Sequence, residues 1–258
     1  VLPADADAEV AALGGGISND VWRVAWDGGC VVVKQALPLL RVEEEWAYTV
    51  ERSSVEHRCL SAINRLLGPG AAPGVVLADD EAHAFAMECA PAGGTQWKEL
   101  LLAGHVDPGD GARAGALLGT RRALVLGDYA PKNLIAYPDR MVVLDLEVAH
   151  WGDPAFDVAF CVNHLLLKAL HLPAQRAPLA ATARAFLAAY GSAAPALVDP
   201  QATVAELGVL MVARVDGKSP AEYLDAESQA LARSVGRSLL LDPPAAPEGA
   251  VARAEEAG

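Results

Sequence analysis

A change of hydrophobic period near position 90 is the strongest constraint that this 258-residue sequence places on its fold. Before it, short apolar runs are separated by Gly- and Asp-rich turns, the pattern of strands and hairpins. Val21 to Trp26 and Cys30 to Gln35 read as two strands joined by Asp27-Gly28-Gly29, a strong hairpin signal because tight turns need positions with positive φ. Val75 to Leu77 and His83 to Glu88 read as two more strands. One helix lies among them, from about Trp46 to Leu67, stopped by Pro69-Gly70. From Gln96 onward helices dominate, apart from a hairpin of Leu134 to Tyr137 and Met141 to Leu144 around Pro138-Asp139. The expected fold class is therefore α+β, with a small β-rich lobe over 1–90 and a mainly helical lobe over 91–241. Asp242 to Gly258 is rich in Pro, Ala and Glu without an apolar period, and reads as a mobile or loosely packed tail.

Composition narrows the function classes. With 53% hydrophobic residues the chain can bury a sizeable core. A formal charge of −13 argues against a nucleic-acid partner and against an anionic membrane surface, both of which need clustered Lys and Arg. Cys30, Cys59, Cys89 and Cys161 lie far apart with no CxxC pair, so zinc spacing is absent and free thiols in a reducing cytoplasm are expected. Val1 to Val10 has no basic region followed by an apolar stretch, and no apolar run approaches bilayer length. A soluble, cytoplasmic protein is the expectation.

The segment from Leu124 to Asp157 holds the residues best suited to chemistry. If the Leu134 and Met141 runs pair, Asn133 and Asp145 flank the open end of the hairpin, where facing residues lie roughly 5 Å apart. A carboxylate and an amide oxygen are hard ligands suited to Mg²⁺, which recruits phosphate oxygens and water to fill its shell. Asp128 precedes Asn133 in a short loop leaving an expected strand at Ala123 to Leu126, close to such a metal yet able to face a hydroxyl. Upstream, Glu56, Leu60, Ile63 and Leu67 form one helical stripe, so Glu56 needs a partner. That partner is either Lys34, at the end of a strand, or Arg52, one turn earlier. Asp153-Pro154 reads as a helix start, and Asp157, inside an apolar helix from Pro154 to about Leu170, must find donors. Glu147 is either a second-metal ligand or a solvated carboxylate, while His150 and His164 read as packed or surface residues. Arg214, Asp216 and Lys218 form a polar break, either a helix end or the lining of an acceptor pocket.

The spacing of Asp128, Asn133 and Asp145 resembles the catalytic and metal-binding loops of the protein-kinase superfamily. GDYAPKN, LDLEVAHWGDPAFDVAF and VVVKQALP look like the aminoglycoside phosphotransferase family, while KQALP, EEEW and RSSVE resemble methylthioribose kinases. The resemblance spans most of the chain. It implies a bilobal kinase-like fold, with a nucleotide-binding first lobe and a second lobe for catalysis and the acceptor. It further implies ATP and Mg²⁺ as cofactors, and transfer of the γ-phosphate to a hydroxyl of a small polar molecule. Asp128 would be the base and Asn133 and Asp145 the metal ligands. Lys34, supported by Glu56, would reach the α and β phosphates. Gly14, Gly15 and Gly16 would lay backbone N–H groups over the phosphates, and the backbone at Glu88 and Cys89 would meet the adenine edge. Asp157 would brace the catalytic loop.

Two departures from the family pattern stand out. Leu126 occupies the position, two before the catalytic Asp, where relatives carry a histidine that orients the loop. Relatives also insert helices between the positions equivalent to Thr120 and Arg121, which here are adjacent, through a deletion or through a stretch this sequence lacks. These motivate an alternative, a non-catalytic kinase-like module that binds nucleotide or a partner. A purely structural protein ranks below both. Aminoglycosides, methylthioribose, choline-like alcohols, sugars and macrolides all stay open as acceptors.

Overall fold

The computed structural model describes residues 7–14, 17–41, 47, 49–119, 124–194 and 199–257. The chain divides into two compact units, Val1–Gly94 with Val142–Ala149, and Thr95–Met141 with His150–Gly258.

The first unit is built on strands β1 (Ala8–Ala12), β2 (Asn19–Trp26) and β3 (Gly29–Ala36), helix α1 (Arg52–Leu67), and strands β4 (Val75–Asp79) and β5 (Ala84–Glu88). The strands form one antiparallel sheet in the order β1-β2-β3-β5-β4. The β2–β3 turn has Gly28 at φ +93°, and its register sets Trp26 opposite Gly29 and Val21 opposite Lys34. β1 escaped the sequence reading because AEVAA carries a single large apolar side chain. Helix α1 is described from Arg52, later than the expected Trp46; residues 42–46 and 48 lie outside the described residues. It buries Leu60 and Ile63, and stops where Gly68 turns to φ +94° ahead of Pro69.

Two of the four expected free thiols are instead joined. Val31 faces Glu88 across the β3–β5 ladder, which makes Cys30 and Cys89 the next facing positions, and they form a disulfide with Cα atoms 6.0 Å apart. The wide sequence separation hides this pair, because only the strand register brings it together. Cys59 and Cys161 are free.

The second unit opens with β6 (Thr95–Gln96), α2 (Trp97–Leu102), α3 (Pro108–Gly119), β7 (Leu124–Val125) and β8 (Leu134–Ala136). The Tyr137 amide donates to the Arg140 carbonyl at 2.9 Å across the Pro138-Asp139 turn, and β9 (Met141–Val143) leads back into the first unit, where the Val143 amide donates to Ala71 at 3.1 Å. β10 (His150–Trp151) follows, then α4 (Ala155–His171), α5 (Arg176–Ala193), α6 (Pro200–Asp216), α7 (Ala226–Leu241) and α8 (Pro247–Glu256). β6 pairs with β8 and β7 with β10, both antiparallel. Helix α4 is the hub: α5, α6, α7 and α8 all pack on it, and Val162, Leu165 and Leu166 are buried. Helices α3 and α5 cross closely because Gly111 and Gly115 have no side chain; a Cβ at either would strike the carbonyl of Thr182 or Phe186.

Within the stretch expected to be mobile or loosely packed, Pro247–Glu256 forms helix α8. In α8, Ala250, Val251 and Ala254 are buried, and Arg253 donates to the Ser238 carbonyl at 2.9 Å. Small alanines pack against neighbouring helices without the large apolar period that marks a helix in sequence. Among the described residues no helix is long and apolar enough to cross a membrane.

Candidate active site

In the first unit, β3 directs Lys34 into the interior, where only 7% of the residue is exposed. Its ammonium lies 2.7 Å from Glu56 Oε1 and 2.8 Å from Asp145 Oδ1. Of the two partners left open for Glu56, Lys34 is the one it meets. Burial alone would depress the Lys34 pKa, but the two carboxylates outweigh it and hold the ammonium above its ordinary range. Glu56 on α1 is 1% exposed, and burial lifts its carboxyl above the usual carboxylate range against the pull of Lys34. Asp145 adopts φ +59°, a left-handed conformation uncommon outside glycine and best tolerated by Asp and Asn.

Glu147 is neither fully solvated nor alone. It accepts from Ser18 Oγ at 2.7 Å and Asn19 Nδ2 at 2.6 Å, with Arg52 Nε at 3.4 Å. Arg52, buried in turn, donates to the carbonyls of Thr49, Leu37 and Ser18. One network thus ties α1, the start of β2 and the segment carrying Asp145. Glu56, Asp145 and Glu147 can each offer an oxygen within 4.8 Å of the others, and Glu56 Oε2 is buried without a partner among the described residues. Three carboxylates against two cations leave a net negative cluster of hard oxygen donors. That donor set fits a divalent cation such as Mg²⁺.

In the second unit, Asp128 sits on the loop after β7. Asp157, 1% exposed on α4, accepts from the amides of Leu126 at 2.6 Å and Gly127 at 2.9 Å, which fixes the entry to this loop. The donors that a carboxylate in an apolar helix requires are these two backbone groups. Leu126 is buried; its amide makes the tie and its side chain fills the core. Asn133 Nδ2 donates to the Asp128 carbonyl at 2.9 Å and to Asp128 Oδ2 at 3.0 Å, and Lys132 Nζ lies 2.7 Å from the same oxygen. Tyr129, fully buried, donates to the Ala114 carbonyl at 2.8 Å and anchors the loop from below.

The structure therefore groups Lys34, Glu56 and Asp145 in one unit and Asp128 and Asn133 in the other. Gly14 lies between β1 and β2, while Gly15 and Gly16 fall outside the described residues, as do residues 120–123. The amide of Glu88 is used by the Gly74 carbonyl at 2.8 Å and its carboxylate accepts from the Gly74 amide at 3.1 Å. Asp153 Oδ1 accepts from the Ala155 amide at 2.9 Å and so opens α4. Arg214 donates to Ser219, and Asp216 accepts from Arg233 Nε at 2.8 Å. Sequence reasoning missed Lys132, although its place four residues after Asp128 was the signal, and it missed Arg52 as the partner of Glu147.

Comparison with known proteins bears on this arrangement. The pattern of the phosphotransferase enzyme family matches residues 96–183. No protein of curated function matches the chain. Among solved structures, a choline/ethanolamine kinase family protein from Mesorhizobium loti is similar at TM-score 0.53 and 13% identity, covering 98% of this chain and 94% of its own. Amicoumacin kinase, solved with AMP-PNP, Ca²⁺ and Ami, is similar at TM-score 0.53 and 15% identity, covering 92% and 90%. Glucosamine kinase, solved with glucosamine, ADP and inorganic phosphate, is similar at TM-score 0.50 and 14% identity, covering 96% and 77%. At these identities the likeness is one of fold: a β-sheet N-terminal region followed by a helical part, as in kinase-like proteins. Over residues 96–183, the stretch with Asp128, Asn133, Asp145 and Asp157, the chain bears the pattern of the phosphotransferase enzyme family on a kinase-like fold.

Proposed function

We propose that the chain is an ATP-dependent phosphotransferase that moves the γ-phosphate to a hydroxyl of a small polar molecule. The observation that carries the reading is the buried Lys34 ammonium held between Glu56 and Asp145. A cation fixed so rigidly within β3 suits the phosphates of a nucleotide. The family pattern over 96–183 and the nucleotides bound by the amicoumacin and glucosamine kinases support it.

In the proposed reaction the acceptor oxygen bonds to the γ-phosphorus, the bond from that phosphorus to the bridging oxygen breaks, and ADP leaves. The acceptor's proton goes to Asp128. Asn133 and Lys132, both on Asp128 Oδ2, hold its carboxylate in one orientation, and the Asp157 clamp on the amides of Leu126 and Gly127 holds the loop. Lys34 binds the α and β phosphates, with Glu56 fixing its direction. The Gly14 to Gly16 stretch covers the phosphates, and the backbone at Glu88 and Cys89 meets the adenine. Asn133 and Asp145 are the proposed oxygen donors for Mg²⁺, which when bound supplies neutralisation of phosphate charge. ATP as donor places the reaction in the cytoplasm, and the acceptor is a small molecule.

Acceptor-dependent ADP release in the presence of Mg²⁺ tests the reading. General-base assistance contributes roughly 10²- to 10⁴-fold, so Asp128→Asn should lower the rate by about that factor. An undiminished rate in that variant would remove the base.

A further inference from the structure

Helix α4 carries a second buried lysine whose surroundings are of a different kind. Lys168 is 1% exposed; its Nζ donates to the His164 carbonyl one turn back at 3.3 Å and lies 5.1 Å from the Tyr223 ring centre. Among the described ion pairs none involves Lys168, and the charged groups acting on it include the cations Lys98 and Arg214. Several buried polar atoms of the residues around Lys168 have no partner among the described residues: His164 Nε2, Arg214 Nε and the Tyr223 hydroxyl. An orphaned buried polar group costs about 1–3 kcal/mol and an uncompensated buried charge more. Such a group beside a buried ammonium calls for partners from outside the chain, ordered water or a ligand.

The layout along α4 agrees. Phe156, Phe160, His164 and Lys168 follow one another at a spacing of one turn, so they share a face. The Phe156 and Phe160 rings are 5.5 Å apart and the Phe160 and His164 rings 5.1 Å. Phe156 and Phe160 are partly exposed whereas His164 and Lys168 are buried, so the stripe leads from the surface inward. Lys132, which holds Asp128, is among the charges felt at His164. The stripe thus lies within electrostatic reach of the loop that carries the proposed base, in the same unit.

We propose that this stripe is the acceptor subsite and that the acceptor carries an oxyanion, a carboxylate or a phosphate, paired with Lys168 and Arg214 and hydrogen-bonded by His164 and Tyr223. The assignment rests on the phosphotransferase reading and narrows it. An acceptor bearing an amine would meet Lys168, Arg214 and Lys98 as like charges, whereas an anion supplies the missing counter-charge. The aromatic entrance accommodates the apolar face of a sugar or short carbon chain.

Calorimetric titration of the full chain with matched probes tests this: gluconate and glucose 6-phosphate against glucose and glucosamine, and glycerate against glycerol. At least one oxyanion probe should bind about tenfold or more tightly than its neutral or amino counterpart, and the gluconate and glucose 6-phosphate arms separate carboxylate from phosphate. Lys168→Met should weaken that probe by about tenfold while leaving Mg²⁺-ATP affinity unchanged. If Lys168→Met does not fold, Tyr223→Phe and the wild-type ranking decide. Equal or tighter binding of the neutral or amino probe, or no binding of any oxyanion probe, overturns the assignment. Failure of the phosphotransferase reading would show separately, as absence of Mg²⁺- and acceptor-dependent ADP release, which these titrations do not require.

Discussion

The two buried lysines solve the problem of an interior ammonium in opposite ways. Lys34 in the first unit has two carboxylate oxygens within 2.8 Å, whereas Lys168 in the second has a helical carbonyl, an aromatic face and neighbouring cations. The difference teaches what each site is arranged for. A charge neutralised by its own chain is a fixed fixture against which phosphates can be placed. On the proposed reading, an amine left with cations and orphaned hydrogen-bonding groups takes up its proton together with a counter-ion from outside.

Substitution should separate the two sharply. Removing the Lys34 ammonium leaves Glu56 buried and unpaired, so Lys34→Met should lose about 3–5 kcal/mol of stability in urea unfolding. A loss below about 1 kcal/mol would mean that the pair is not closed as described. Asp157 is the second unit's counterpart of a matched charge, since two backbone amides answer it. Asp157→Ala should cost about 2–4 kcal/mol, because both amides are then left without their acceptor.

Lys168→Met should go the other way. Burial depresses the Lys168 pKa to about 7, with Lys98 and Arg214 adding to the effect. Above pH 10.5, the ordinary lysine value, the side chain is neutral folded and unfolded, and its burial carries no charge penalty. As pH falls below that value the unfolded chain takes up a proton that the folded chain refuses, so stability drops until about pH 7 and the penalty is constant below. The variant should therefore be more stable than wild type at pH 7, by about 1 kcal/mol or more and so about 2–4 °C in Tm, with the gain vanishing toward pH 10. A variant destabilised as strongly as Lys34→Met would erase the contrast. The smallest effect is expected at Lys132, about half exposed, where Lys132→Met should change stability by less than about 0.5 kcal/mol in the same unfolding measurement.

Sequence pattern reached the parts of this molecule whose physics is local. The Asp27-Gly28-Gly29 turn announces the β2–β3 hairpin, and Val75 and Ala84 begin strands within a residue of their expected starts. Asp157 was legible as a carboxylate in need of donors because its helix is apolar on most faces, but the identity of those donors, two amides from a distant loop, was not. The Cys30–Cys89 bond and the Arg52–Glu147 contact depend on strand register and on how segments far apart in the chain return to one another. Helix α8 was missed because alanine packs tightly without an apolar signature. His164 and Lys168 were visible one turn apart in an apolar helix, yet one sequence holds nothing to show that, among the described residues, His164 Nε2 would lack a partner and Lys168 an ion pair.

The most direct test of the central claim is ADP release measured with and without acceptor and Mg²⁺, for wild type and Asp128→Asn side by side. Release that requires both Mg²⁺ and a hydroxyl acceptor, and falls about 10²- to 10⁴-fold in the variant, is the expected result. Calorimetric binding of ATP with no turnover across a broad acceptor panel that includes oxyanion-bearing alcohols would contradict it, and would make the protein a nucleotide-binding module instead of an enzyme.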